Sequence, residues 1–179
     1  MIAPLFIIAP LVISAGDRAW IEAIRRDHDP QAGVVEAHVT LVFGVRALGS
    51  EEMVAHVGAV ARAMPPIAFH LDRAVAVRDE TGARSHVFLA LSDGAADVCT
   101  LHQALYAGPL AWALREDIPF FPHVTVASFA DHDAAVRLAD GLMERELSIF
   151  GALDRLDVVA FDGQTLQRVQ SLPLGLSSP

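Results

Sequence analysis

The 179-residue chain has a single cysteine, Cys99, which excludes an internal disulfide. Cys99 sits in the helix-like stretch AADVCTLHQAL, where a small buried hydrophobe is the expected role. Positive charge is also scarce. Thirteen Lys and Arg face 22 Asp and Glu, a net charge of −9 and a pI of about 5.2. This argues against adhesion to nucleic acid through a broad basic face and leaves room for a small positive pocket for one phosphate. The chain lacks His-Glu-x-x-His and Cys-x-x-Cys spacings, so His28, His56, His70, His86, His102 and His132 suggest no metal site, and no cofactor is expected. It also lacks a glycine-rich phosphate loop. The apolar opening MIAPLFIIAPLVISAGD lacks the positive leading segment of a signal peptide. Broken by prolines, it is too short to span a bilayer. The expectation is the buried first strand of a soluble, cytoplasmic protein with no membrane partner.

The remaining composition is that of a packed domain, 53% hydrophobic and 20% charged. A β-rich run over 4–14 precedes Ser14, a capping residue, and a helix with Trp20, Ile21 and Ile24 on one face. A strand is expected over about 35–45 and a helix from Ser50 to Met64, ended by Pro65-Pro66. Two strands joined by the turn at Glu80-Thr81-Gly82-Ala83 follow. The second half reads similarly: a helix over 94–114, a strand around 119–129, a helix opening at an Asp cap, and strands 151–163 and 165–174 around the Asp162-Gly163 turn. Each half thus reads helix, strand, helix, two strands, and the expectation is an α+β fold of two similar lobes in one domain, 1–179, with a frayed tail at 175–179.

Both halves carry His-Val-Thr, once in AHVTLVFG (37–44) and once in PHVTVASF (122–129). Alternate residues of a strand share a face, about 6.5–7 Å apart. His38, Thr40 and Val42 should share one face and Val39, Leu41 and Phe43 the other; His123, Thr125 and Ala127 should oppose Val124, Val126 and Ser128. An imidazole with a pKa of about 6.5 can take or give a proton at neutral pH, and a threonine hydroxyl can donate to an anionic oxygen. Two such pairs facing across a pseudo-twofold axis would surround one tetrahedral centre. One imidazole would activate water and the other protonate the leaving oxygen. A lone His-Val-Thr means little, since histidine on a strand is usually structural and threonine is a good strand former. Two copies in matching contexts point to function.

These motifs, with the first strand PLFIIAP and the stretch RRDHDP, resemble the 2H phosphoesterase superfamily and its bacterial branch similar to 2′-5′ RNA ligases. The resemblance covers essentially the whole chain. It implies a bilobal fold with two pseudo-twofold-related lobes around a central cleft, and cyclic phosphodiesterase activity on 2′,3′-cyclic phosphate ends without a metal. By the same resemblance His38 is the general acid, His123 the general base, and Thr40 and Thr125 hold the phosphate. Several relatives carry a basic residue just after the second motif, where this chain has Ala127-Ser128. With the acidity of the chain, this favours a small nucleotide or a short RNA end bearing a cyclic phosphate over a long RNA.

Phe43, Phe120 and Phe121 could stack a base, although strand-flanking aromatics usually serve the core. Arg84, in the hairpin turn, and Arg46, after the first motif strand, are the best placed cations. Phe43, Arg84 and Phe121 are retained as possible substrate-binding residues. His86 could approach the cleft, but a surface role at a strand end is expected. A non-catalytic nucleotide- or RNA-end-binding module is the competing reading. Turnover of a 2′,3′-cyclic nucleotide separates it from the enzyme.

Overall fold

The computed structural model describes residues 3–79 and 81–175. Of the expected tail only Gly175 lies among them; residues 176–179, and Glu80 in the hairpin turn, lie outside the described residues. Capping chemistry places the helices as expected. Ser14 caps α1 (Ala15–His28) by accepting from the Asp17 amide, and Asp131 caps α4 (His132–Met143) by accepting from the Asp133 amide. Helix α2 (Ser50–Ala63) stops before the two prolines.

Three elements depart from the sequence expectation. The helix expected over 94–114 divides into α3 (Ala95–Leu105) and a short 3₁₀ turn, Gly108–Ala113. The chain leaves the helix at Ala107, which is extended (φ −78°, ψ 164°), Gly108 follows with φ +60°, and Pro109 has no N–H to continue the ladder. The strand expected over 151–163 is two strands, β7 (Ile149–Leu153) and β8 (Arg155–Phe161). The opening run divides in the same way into β1 (Leu5–Pro10) and β2 (Val12–Ile13).

These divisions shape the molecule. With β3 (His38–Val45), β4 (Ile67–Arg78), β5 (Ser85–Leu91), β6 (His123–Phe129) and β9 (Leu166–Pro173), the strands form one antiparallel sheet in the order β2-β7-β4-β5-β6-β3-β1-β8-β9. Residues 5–13 supply strands near both ends of that order, as do residues 149–161. The two segments pair with each other at both places, β1 with β8 and β2 with β7. Pro10 and Val12 are only two residues apart, so the sheet must curl until its ends meet.

The lobes are therefore not the two halves of the sequence. One contains β3, β1, β8 and β9, and the other β6, β5, β4, β7 and β2. The helices interleave in the same way: α1 packs on β6, α3 on β3, α2 on β8 and β9, and α4 on β4, β5 and β6. Ile7, Val39, Leu41, Leu89, Val124 and Val126 join buried residues of all four helices in one core. Ile8, Ala90 and Val159 are equally buried but lie outside that core, on the other face of the sheet. Among the described residues no helix is long and apolar enough to cross a membrane.

The point where sheet ends meet is tight. Gly151 is paired with Ile13 on one side and Phe69 on the other. An added Cβ there would lie 2.6 Å from an Ile13 methyl and 2.6 Å from the Phe69 ring. Overpacking of this kind costs roughly 1–3 kcal/mol. Gly151→Ala is therefore expected to lower the unfolding free energy by that amount, read as a lower urea midpoint at an unchanged slope; an unchanged midpoint would show that the junction is slack.

Candidate active site

The two motif strands meet at the seam between the lobes. Only one residue pair, Val39 with Val124, bridges β3 and β6. Continuing this antiparallel register by one residue each way sets His38 beside Thr125 and Thr40 beside His123. Each histidine thus faces the threonine of the other motif, on the face opposite the core.

Both imidazoles are held alike. His38 Nδ1 is 2.8 Å from the Glu36 carbonyl oxygen, and His123 Nδ1 is 2.6 Å from that of Phe121. A carbonyl only accepts, so in each neutral ring the proton sits on Nδ1 and Nε2 carries a free lone pair. Burial is the main cause that lowers both pKa values. For His38 the Glu36 carbonyl, Asp29 and the Glu36 carboxylate work in the opposite direction. His123 falls to about 4, opposed by the Phe121 carbonyl and lowered further by His38 and His86. Both motif histidines are half-buried.

The local environment separates the two rings. His123 lies against Phe88, ring centres 3.6 Å apart, with Phe121 5.9 Å away. Phe88 pairs with Thr125 across the β5–β6 ladder, and His86, two residues earlier, stacks at 5.8 Å on Phe88. Phe88 was not anticipated as a site residue, and His86, expected at the surface, lies on the site face. The signal was present in the alternation of His86, Phe88 and Ala90 against apolar Val87, Leu89 and Leu91. It has meaning only once β5 is known to flank β6.

The expected faces hold for His38, Thr40, His123 and Thr125 but reverse just beyond them. Ile8 pairs with Thr40 and Ile7 with Val42, so Leu41 is an extra residue in β3. Phe88 pairs with Thr125 and Val87 with Ala127, so Val126 is an extra residue in β6. Each motif thus carries a β-bulge immediately after its threonine. The bulges turn Val42 and Ala127 into the core and bring Phe43 and Ser128 to the site face. Phe43 is accordingly 54% exposed rather than buried.

Bulges leave backbone groups without ladder partners, and α3 supplies two. His102 Nδ1 lies 2.8 Å from the Leu41 carbonyl oxygen, and the Phe43 amide donates to Tyr106 Oη at 3.2 Å. His102 and Tyr106 are four residues apart, on one face of the helix. Phe120 stacks on His102 at 3.7 Å, and so serves the core and not the site. The loop leading to His38 is anchored from α1. Buried Arg25 pairs with Glu22 at 2.9 Å and Asp29 at 2.9 Å, and Glu22 accepts from the Ala37 amide at 2.7 Å.

Arg84 reaches the site from the hairpin turn. Its Nε donates to Ser128 Oγ at 2.7 Å and its Nη2 to the Ser128 carbonyl at 3.0 Å. A cation thus stands at the position after the second motif, although the motif itself lacks one. Among the described residues, no three His, Cys, Asp or Glu side chains group as metal ligands.

A family model described as the 2′-5′ RNA ligase superfamily matches residues 14–165. No match was found among curated protein sequences. Among solved structures, apo E. coli LigT is similar with a TM-score of 0.61 and 19% identity, over 97% of this chain and 98% of that one. Kluyveromyces marxianus Usb1 gives 0.55 and 13% identity, over 95% and 97%. A structure described as a phosphoesterase gives 0.53 and 18%, over 97% and 99%. The likeness in fold is thus nearly end to end. E. coli LigT has also been crystallised with 3′-AMP, ATP, NADP⁺ and phosphate.

Two measurements check this geometry. Nitrogen-15 shifts at pH 7 should show His38 and His123 neutral with the proton on Nδ1, and His123 should titrate near pH 4. A folded-state pKa below the unfolded value of about 6.5 means that the unfolded chain binds more protons between those values. The contribution of His123 to stability is therefore complete above about pH 6.5 and declines as pH falls towards 4. Separately, Tyr106→Phe should speed hydrogen exchange at the Phe43 amide and leave that of Val124 unchanged. Equal exchange at Phe43 would show that the Oη contact does not hold the bulge.

Proposed function

The chain belongs to the 2′-5′ RNA ligase superfamily, and we propose that it is a phosphodiesterase hydrolysing 2′,3′-cyclic phosphates by paired-histidine acid–base catalysis. The observation that carries this reading is the convergence of His38, Thr40, His123 and Thr125 at one seam, with both imidazoles presenting Nε2. A binding module has no need of two rings held in the same proton-transfer geometry.

In the proposed reaction the cyclic phosphate sits between the two strands, its non-bridging oxygens accepting from the Thr40 and Thr125 hydroxyls. His123 Nε2 takes a proton from water as the water oxygen attacks phosphorus. The P–O bond to one ribose oxygen breaks, and His38 Nε2 donates its proton to that oxygen. One proton thus enters the pair and one leaves. The surroundings favour this assignment. Burial lowers both pKa values, that of His123 to about 4. The Asp29 and Glu36 carboxylates, against Arg25, act on His38 towards the protonated form, whereas His38 and His86 act on His123 towards the neutral form. A bound phosphate adds negative charge and favours one imidazolium, while the second is disfavoured by the first. Phe43 and Phe121, both at the site face, can pack against the substrate, and Arg84 supplies the cation beyond Thr125.

The nucleotide complexes of E. coli LigT support a small nucleotide or an RNA end as the partner. The deficit of positive charge supports a short substrate, because long nucleic acid is gripped chiefly through its phosphates. A cytoplasmic setting suits such a substrate.

Hydrolysis of a 2′,3′-cyclic nucleotide tests the proposal. His38→Ala and His123→Ala should each lower kcat about 10²–10⁴-fold. Thr40→Ala and Thr125→Ala should cost less, because one hydroxyl remains in each. Because kcat/KM reports the free enzyme and both imidazoles titrate below 6.5, its bell-shaped profile should peak on the acid side of pH 6.5. Arg84→Ala should raise KM more than it lowers kcat. The rate should survive EDTA. An undiminished rate in His123→Ala, or loss of activity on chelation, would refute this mechanism.

A further inference from the structure

A second cavity-lined site adjoins the first motif on the same face of the sheet. Pro10 pairs with His38 and Ile8 with Thr40, and Ile8 pairs on its other side with Asp157 of β8. Directly paired residues share a face. Asp157 therefore lies two strands from Thr40, about 10 Å at the usual strand spacing. Between them and the loop before His38 is a cavity of about 160 Å³, lined by Ile8, Pro10, Val34, Val159 and Leu166, with Asp157, Arg168, Val35 and Glu36. Its volume far exceeds the roughly 10–15 Å³ that one water needs.

Asp157 is the unusual member. It is only 1% exposed, yet it is a carboxylate on the face away from the core. Its Oδ1 accepts from Ser171 Oγ at 2.6 Å. Its Oδ2 lies 3.0 Å from Arg168 Nε, but out of line for a hydrogen bond, and has no hydrogen-bond partner among the described residues. A buried acceptor left unmade is costly, and a ligand donor that displaces the half-exposed Arg168 side chain from Oδ2 would relieve it.

Charge narrows the ligand. An anion at Oδ2 would meet the carboxylate. A cation would meet Arg168 and Arg155, whose Nε is 3.8 Å from Asp157 Oδ1. The apolar walls favour a flat, neutral group with an N–H donor for Asp157 beside an acceptor for the Arg168 guanidinium. The amino–imino edge of a nucleobase has this pattern, and a carboxylate accepting from cytosine N4 is a favourable pairing.

We infer that the cavity between β1, β8, β9 and residues 34–36 is a nucleobase subsite, read by Asp157 and Arg168. The inference rests on the phosphate being held at His38 and Thr40, with the ribose spanning the gap. The loop that roofs the cavity also holds His38, through the Glu36 carbonyl. Filling the subsite therefore bears on the first motif directly.

The test has a binding arm and a turnover arm. In the first, cytidine, which has no phosphate, is titrated into wild type, Asp157→Asn, Leu166→Trp and His38→Ala, with backbone amide shifts as the readout. Expected are shifts at Val35, Asp157 and Arg168 in wild type and His38→Ala. Binding should be about tenfold weaker in Asp157→Asn, lost in Leu166→Trp, which fills the cavity without touching Asp157, and lost with N4,N4-dimethylcytidine. In the second arm, Leu166→Trp should lower kcat/KM about tenfold for cytidine 2′,3′-cyclic phosphate and leave a base-free substrate, glycerol 1,2-cyclic phosphate, unchanged. Absence of shifts at these amides, or cytidine binding unaltered by both cavity variants, would overturn the subsite whatever the turnover. Pocket binding without turnover of either substrate would uphold the subsite and refute the phosphodiesterase.

Discussion

The site depends on the seam between β3 and β6. Other neighbouring strands in the body of the sheet share several paired positions, whereas these two share one, Val39 with Val124. That pair is buried in the core, and its two neighbours on each strand face the opposite way. A one-residue slip would send both histidines into the core and both valines out. The core therefore fixes the register, and the register assembles the motif residues. Closure of the sheet, which joins residues 5–13 to residues 149–161, holds the two lobes on either side of this sparse seam.

Around the seam, regular structure is interrupted just beyond the motif residues. The paired bulges after Thr40 and Thr125 end the motif faces at the same point in each lobe and bring Phe43 and Ser128 alongside. The cost in unpaired backbone is offset by side chains from the core: His102 and Tyr106 meet the Leu41 carbonyl and the Phe43 amide. Arg25, with Glu22 and Asp29, fixes the approach to His38. This places a buried guanidinium near an imidazole whose pKa it helps to lower, with Asp29 acting against it. Of the histidines outside the motifs, His102 supports the site from the core and His86 stands beside it.

The charge of the chain fits this arrangement. No lysine occurs in the sequence, and all 13 basic residues are arginines. Several are tied to specific acceptors: Arg84 to Ser128, Arg18 and Arg155 to Glu36, Arg25 to Glu22 and Asp29. Arginine suits such fixed, directional contacts better than lysine does. The positive charge is therefore spent on particular positions around the sheet face and not on a general field, consistent with a ligand of nucleotide size.

The sequence by itself determined the α+β class, the helix starts at Ser14 and Asp131, and the pairing of His38 with Thr40 and of His123 with Thr125. These follow from local rules: capping, the two-residue period of a strand, and a motif repeated in matching contexts. Phe43 and Ser128 were placed on the wrong face because strand alternation assumes an unbroken ladder, and a bulge is visible only against a partner strand. The lobes were expected to follow the sequence halves, but no local pattern records that β8 and β9 return to β1, or that residues 5–13 and 149–161 close the sheet. Phe88, His86, Arg84 and Asp157 took their positions from cross-strand pairing, which joins residues far apart in the chain. Only the tertiary structure could decide these, because register between distant strands is set by how the whole core packs.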